Sequence, residues 1–318
     1  MSGRRSFAQF RWWHEAAIAA MLVALLIVAG SLMPSFLKLE SQLSLSRQMW
    51  ELAIITLGMT LIVITGGIDL SVGSTVGLCA VVFGICFSAT QSVALASAAS
   101  LIAGFVCGSL NGLLIAKYKV HPLIMTLATF AAFRGVAEGI SQGAAYSKFG
   151  TAFAQVGRGT FGGIPSAAYL FAGLAIGIGV FLAKTSHGRF IYAIGHNETA
   201  ARFAGVAVDR CKFWLYSLSG CLAGLSTIIY VARFDSARAD AGKGFELDAI
   251  TAVVVGGTSI FGGRGSIVGS VLGLLLIHET RLFVSRYWRI DELRSIVIGI
   301  LLIVSVLVYR VLVRKGRE

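Results

Sequence analysis

The chain is short of charge. Aspartate, glutamate, lysine and arginine make up 13% of its 318 residues, about half the ~25% of an ordinary soluble domain. That shortage argues against a water-soluble globule with an oversized core. Proline is scarcer still, with three residues, which argues against loop-rich or disordered architecture. The five cysteines, Cys79, Cys86, Cys107, Cys211 and Cys221, form no CxxC pair and no zinc-site spacing, so they read as small core hydrophobes. No GxxxxGK[ST] occurs, so the chain carries no P-loop for ATP. Its one GxGxxG, GRGTFG at 157–162, falls in a loop with no preceding strand and reads as chance. The five histidines are scattered, and neither a Ser/His/Asp arrangement nor a metal-ligand cluster is present. No catalysis, metal or cofactor is expected.

What the chain has in abundance is apolar sequence. Hydrophobic residues make up 56% and the mean hydropathy is +0.82, which implies an all-α, polytopic membrane protein embedded in lipid. Runs of about 20 apolar residues fall near 16–33, 49–66, 71–88, 93–116, 122–140, 167–184, 212–232, 247–261, 266–284 and 293–312. Ten spans are therefore expected, the pairs 49–66/71–88 and 247–261/266–284 being joined by short glycine turns. The start, MSGRRSFAQFRWWHE before about 18 apolar residues, lacks an obvious cleavage site and reads as an uncleaved first helix. Trp12 and Trp13 would lie at headgroup level.

The +12 net charge is read as topology, and no nucleic-acid partner is expected. With the N-terminus inside, 15 of the 27 basic residues fall on cytoplasmic segments, among them Arg4, Arg5, the 184–212 loop and the cluster Arg310, Arg314, Lys315 and Arg317. Both termini are thus placed in the cytoplasm. The division expected is a cytoplasmic segment 1–15, one transmembrane domain 16–312 with a cytoplasmic loop at 185–211, and a tail 313–318.

Residues 58–78 read GMTLIVITGGIDLSVGSTVGL, an apolar run interrupted by two glycines and a lone acid, Asp69. A carboxylate at bilayer depth should face a cavity, a partner or a helix N-terminus. Asp69 or Ser71 could cap the helix that follows, or Asp69 could meet a solute. The stretch 262–274, GGRGSIVGSVLGL, matches 66–78 without a gap at seven positions, from Gly66/Gly262 to Leu78/Leu274. That is either a duplication or shared glycine chemistry. The spacing of Gly73 with Gly77 and of Gly269 with Gly273 suits close helix packing. Asn111 reads as interhelical glue or a path-facing group, and Arg134 and Glu138 as a mutual i,i+4 pair.

Three segments in order, GMTLIVITGGIDLSVGS, GRFIYAIGHNETAARFAGV at 188–206 and GFELDAITAVVVGGTSIFGGRGS at 244–266, resemble the signatures of the membrane permeases of bacterial ATP-binding-cassette importers for ribose, xylose, galactose and related monosaccharides. The likeness runs along nearly the whole chain. RFDSARADAGKGFELDAIT at 233–251 is most similar to members handling rhamnose or autoinducer-2. The resemblance implies location in the bacterial inner membrane and a homo- or heterodimer of permeases. It further implies a cytoplasmic ATP-binding-cassette ATPase, a periplasmic sugar-binding protein and a monosaccharide substrate.

By that resemblance 188–206 is the coupling segment that docks on the ATPase, with Gly195, Asn197, Glu198, Ala201 and Gly205 as its key positions. A short helix capped by Asn197 is expected there. Thr60, Thr65, Asp69, Ser71 and Asn111 are assigned to the substrate path. Arg233, Asp235, Arg238 and Asp240 are assigned to an outer rim that receives the binding protein, while Glu246 and Asp248 favour the next helix N-terminus. The competing reading is an ion- or proton-coupled secondary transporter, for which Asp69, Arg134, Glu138 and Glu279 are the few intramembrane ionisable groups available. A non-transporting membrane scaffold is a third.

Overall fold

A computed structural model describes residues 3–288 and, beyond them, 296, 297, 299, 300 and 303. For residues 3–13 it describes the backbone only, so the placement of Trp12 and Trp13 lies outside the described side chains. The expected tenth span, 293–312, and the tail, 313–318, lie outside the described residues but for those five.

The chain folds into helices α1 (Gly3–Leu32), α2 (Leu39–Ser46), α3 (Trp50–Ile64), α4 (Val72–Thr90), α5 (Val93–Ala116), α6 (Pro122–Ser141), α7 (Thr151–Arg158), α8 (Ser166–Lys184), α9 (Ser186–His196), α10 (Glu198–Phe203), α11 (Val208–Phe234), α12 (Phe245–Val255) and α13 (Ile267–Trp288). Two-residue strands pair Tyr146–Ser147 with Ser236–Ala237 and Thr160–Phe161 with Ile164–Pro165. Seven of the helices are long and apolar enough to cross a membrane, and α2 with α3 makes an eighth span bent by 61°.

Helix α3 is the axis of the bundle. It is apolar all round, and 14 of its 15 residues, Glu51 to Ile64, are buried, as expected of a helix enclosed by others. Helices α8, α11, α12 and α13 pack against it, while α1, α5, α6 and the far side of α8 keep apolar faces such as Ile27, Ile102, Ile124 and Ile176 turned outward. The closest seam joins α5 to α11. A Cβ added at Gly104 or Gly108 would strike the backbone of Gly220. Glycine lets the two backbones meet with no side chain between them.

Helix α12 departs from the expected span at 247–261. It has 11 residues, or ~16 Å at the helical rise, about half a hydrocarbon layer. The apolar run ITAVVVGGTSIF reads as one span, but its two central glycines end the helix. Gly257 (φ +86°) takes the left-handed conformation, its N–H donating to Val254 O at 2.9 Å and the Thr258 N–H to Val253 O at 3.1 Å. Helix α3 ends the same way: Gly66 (φ +79°) donates to Val63 O at 2.9 Å and Gly67 to Ile62 O at 3.1 Å. Both are Schellman closures, for which glycine is the usual residue. Gly66 therefore corresponds structurally to Gly257, five residues before the Gly262 with which the gapless match pairs it. That match holds in the first turns of α4 and α13, where Val72 pairs with Val268, and slips across the turn.

The two turns touch. Gly263 N–H donates to Ile64 O at 2.8 Å, and a Cβ at Gly262 would lie 2.8 Å from Gly66 N. Both hairpins therefore reverse at one end of the bundle.

Candidate functional site

The segment between α8 and α11 builds a compact knob at the end of the bundle where those turns meet. Thr185 Oγ1 accepts the Gly188 N–H at 3.0 Å and so caps α9. Asn197 Oδ1 accepts the Ala200 N–H at 2.9 Å and so caps α10, as its position in the sequence suggested. Helix α10 closes on Gly205 (φ +82°): the Val206 N–H reaches Ala201 O and the Gly205 N–H reaches Arg202 O, each at 3.0 Å. Ala201 is buried with Ile194 and Val208 beneath this closure. Arg202 bridges Glu198 (2.9 Å) and Asp209, while Lys212 holds the other oxygen of Glu198 at 2.5 Å and Lys119 holds Asp209. Partial burial pushes the Glu198 carboxyl up, but Lys212 and Arg202 together outweigh it and hold it below the usual carboxylate range.

The root of the knob is pressed onto both glycine turns. A Cβ at Gly195 would come within 3.0 Å of Ile64 O on one turn and Gly263 N on the other. Beside it, Tyr192 Oη donates to Gly265 O at 2.9 Å. Movement of α9 is thus felt by main-chain atoms of both hairpins at once.

The tip was not anticipated. Of the five coupling positions read from the sequence, Gly195 faces inward, Asn197 caps, Glu198 pairs, Ala201 is buried and Gly205 closes the helix. None presents a large outward side chain. Phe203 does, at 90% exposure, the most exposed large hydrophobic residue described. The signal was available: a lone phenylalanine two residues after the buried Ala201 lies on the opposite side of a short, otherwise small and polar helix.

Deeper in the bundle the assigned path residues form a closed polar network. Asp69 Oδ1 accepts the Ser71 N–H at 2.9 Å and the Ser71 Oγ–H at 2.6 Å, and its Oδ2 accepts from Ser219 Oγ at 3.4 Å. Asn111 Nδ2 donates to Ser71 Oγ at 2.8 Å, and Asn111 Oδ1 accepts from Thr129 Oγ1 at 2.8 Å. Asp69, Ser71, Asn111, Thr129 and Ser219 are all buried, so α4, α5, α6 and α11 are tied at the start of α4. Thr60 Oγ1 lies 2.9 Å from Ser270 Oγ, and Thr65 Oγ1 donates to Ile62 O at 2.7 Å. In this conformation all five assigned residues are buried. Their arrangement is that of an Asx turn leading into α4, whose N-cap Ser71 makes no side-chain capping bond, and of interhelical ties.

At the opposite end, the four assigned rim residues divide. Arg238 and Asp240 are exposed and pair bidentately at 2.9 Å. Arg233 turns inward to the fully buried Glu51 at 2.6 Å, and Asp235 Oδ1 accepts the Phe149 N–H at 3.0 Å. Glu246 and Asp248 lie in the first turn of α12, where acids favour a helix N-terminus. Arg134 corrects its expected partner. Its guanidinium donates to Ala239 O, to Ala241 O at 3.3 Å and to Gly73 O at 3.2 Å, and not to Glu138. Those carbonyls belong to the irregular 235–244 stretch and to the start of α4, and they need a donor more than Glu138 needs a cation.

The irregular stretch descends into the bundle. Gly242 packs on Gly73 and Val76, and Thr227 Oγ1 lies 3.3 Å from Val76 O. Thr227 is seven residues, ~10 Å, short of the C-terminal end of α11 at Phe234. Lys243 and Leu247 are exposed beside this descent.

The family described as "Branched-chain amino acid transport system / permease component" matches residues 42–306. A ribose import permease protein of Bacillus subtilis (strain 168) is 42% identical over 297 residues, covering 91% of this chain and 90% of its own. The ribose import permease protein of Escherichia coli (strain K12) is 37% identical over 281 residues, covering 87% of each chain. An autoinducer 2 import system permease protein of Photorhabdus laumondii is 35% identical over 305 residues, covering 93% of this chain and 91% of its own. No solved structure matches.

Proposed function

This chain belongs to the branched-chain amino acid transport system permease component family, and from that premise we propose the role its relatives' names suggest. It is the transmembrane permease subunit of an ATP-binding-cassette importer of the bacterial inner membrane. It carries a monosaccharide, or a small polyol-like solute such as autoinducer 2, by alternating access. The observation that carries the reading is the knob: one capped, ion-paired element braced on both glycine turns, with Phe203 projecting from it. That is the shape a membrane subunit needs if a separate cytoplasmic ATPase is to move it. Phe203 is the anchor that enters the ATPase groove, in the helix-in-groove manner. The segments 1–15 and 313–318 are cytoplasmic, the 16–312 domain crosses the membrane ten times, and the 185–211 loop meets the ATPase.

The path runs between two copies of the chain. The descending stretch 235–244 and the start of α12 support this, because irregular backbone at bilayer depth must be covered by protein or face water. The exposed Lys243 and Leu247 then line the seam. Arg238 and Asp240 contribute rim charge to docking of the periplasmic binding protein, where such charge chiefly tunes encounter. Asp69, Ser71 and Asn111 act beside the path as its scaffold.

The test is uptake of labelled ribose and related sugars by vesicles holding the permease, the ATPase and the binding protein. Uptake should require all three together with ATP. Uptake that survives removal of the ATPase would instead establish the ion-coupled reading.

A further inference from the structure

Nine buried side-chain polar atoms among the described residues lack a hydrogen-bond partner, and they are not scattered. Three are His278 Nε2, Glu279 Oε2 and Arg281 Nε, on a single turn of α13. That turn lies midway along a 22-residue helix, so it sits near the centre of the layer that helix crosses. Two more, Arg47 Nε and Trp50 Nε1, belong to the corner between α2 and α3. The two groups are at one level. Thr60 meets Ser270 at 2.9 Å across the antiparallel pair α3 and α13. Eight residues further along α13, His278 comes opposite Leu52, and Arg281 opposite Met49.

The surroundings are built rather than incidental. Arg281 is ion-paired to Asp248 of α12, and Arg286, further along α13, donates to Ser41 Oγ of α2 at 3.2 Å. Trp50 packs its ring on Phe171 at 5.6 Å. Helix α2, eight residues long and bent 61° from α3, lies over this part of α13, with Leu45 packed among Leu282 and Phe283 and Gln42 one turn earlier on the same helix. Ion pairing at this depth accounts for Asp248 and for one edge of Arg281. It leaves donors on Arg47, Trp50 and Arg281, an acceptor on Glu279, and a group on His278 that serves as either. An unpaired polar atom in a low-dielectric interior destabilises the fold unless something fills its bond, and intramembrane ionisable groups typically mark a solute route.

We propose that the His278–Arg281 turn and the α2–α3 corner opposite it form a binding site for a neutral polyhydroxy solute. Neighbouring hydroxyls of such a solute would each give and accept one hydrogen bond. Glu279 accepts, Arg281 and Arg47 donate, and the Trp50 ring offers an apolar face to the carbon skeleton. The site lies within one copy, covered by α2, and a swing of α2 about its 61° bend would open it toward the route between the two copies. This rests on the importer reading for its choice of solute, while the site itself stands on the residues named.

The test uses the intact permease–ATPase complex with saturated binding protein, and two sugars that differ at one hydroxyl, D-ribose and 2-deoxy-D-ribose. Glu279→Gln and Trp50→Phe should change the ratio of the two uptake rates by about ten-fold, the effect of one or two hydrogen bonds to a buried polar group. Copurification with the ATPase should be unchanged. A merely structural role would lower both rates in proportion, and an unchanged ratio in variants that still assemble overturns the site. A second measurement needs no transport. With Gln42→Cys, D-ribose should slow maleimide labelling of the complex several-fold relative to sugar-free buffer, after the parent's background labelling is subtracted. Protection without uptake would keep the site and discard the importer reading; loss of both protection and ratio change would discard the site alone if uptake persists.

Discussion

Replacing Gly195 by alanine adds one methyl group where the knob meets both hairpins. The new Cβ would fall inside 3.0 Å of Ile64 O and of Gly263 N, two main-chain atoms that are themselves joined by a 2.8 Å hydrogen bond. Neither atom is the end of a side chain that can swing away. Relief requires α9 to back off by of the order of 1 Å, the range over which packing contacts are largely forfeited, or the Ile64–Gly263 bond to open. Overpacking costs ~1–3 kcal/mol, and opening a buried hydrogen bond costs a similar amount. We expect that strain to separate hydrolysis from movement. In vesicles, Gly195→Ala should still copurify with the ATPase and hydrolyse ATP within a few-fold of the parent, while uptake falls by ten-fold or more. Gly205→Ala serves as the control, since its site has open space and the change acts only through the left-handed φ of +82°. It should lower stability by ~1 kcal/mol with little uncoupling. Parental uptake by Gly195→Ala would refute the idea that the two turns are driven through this contact.

Three further outcomes are expected. Phe203→Ala should leave the permease folded, because the side chain is 90% exposed. It should weaken recovery of the ATPase by about ten-fold or more, in keeping with loss of an aromatic anchor; undiminished copurification would move the docking point elsewhere. Asp69→Asn keeps an acceptor for the Ser71 N–H, so uptake should stay within a few-fold, whereas abolition of uptake would favour proton coupling. Arg134→Leu strips the donors from Ala239, Ala241 and Gly73 and should cost ~3 kcal/mol or more, seen as a lower thermal midpoint in detergent and poorer recovery.

Much of the fold was legible because lipid demands long apolar helices. The expected span 93–116 is α5 to the residue, and 122–140 ends one residue short of α6. Helix α10 was legible from its cap, since an Asn-Glu-Thr start states its own boundary. Helix α12 was not, because Ala252 to Phe261 stays apolar across a turn whose carbonyls are satisfied inside the protein. Hydropathy reports the surroundings of side chains and is blind to where within an apolar run a helix begins and ends. Arg134 misled for a related reason: its partners are main-chain oxygens, which no side-chain pattern reveals. The Glu51–Arg233 pair joins residues 182 positions apart and needed the tertiary fold to appear. The α5–α11 seam was written in Gly104, Gly108, Gly220 and Gly224, but helical glycines are common enough here, among 38 in all, that spacing alone could not single it out.

A joint made of Ile64 O, Gly195 and Gly263 N has no side chain at its bearing surface. Ordinary substitution elsewhere can therefore reshape what the bundle carries without retuning how it is driven. Permeases sharing this bearing could diverge in cargo while remaining compatible with one another's motors, and swapping ATPases between such systems is where that tolerance would show.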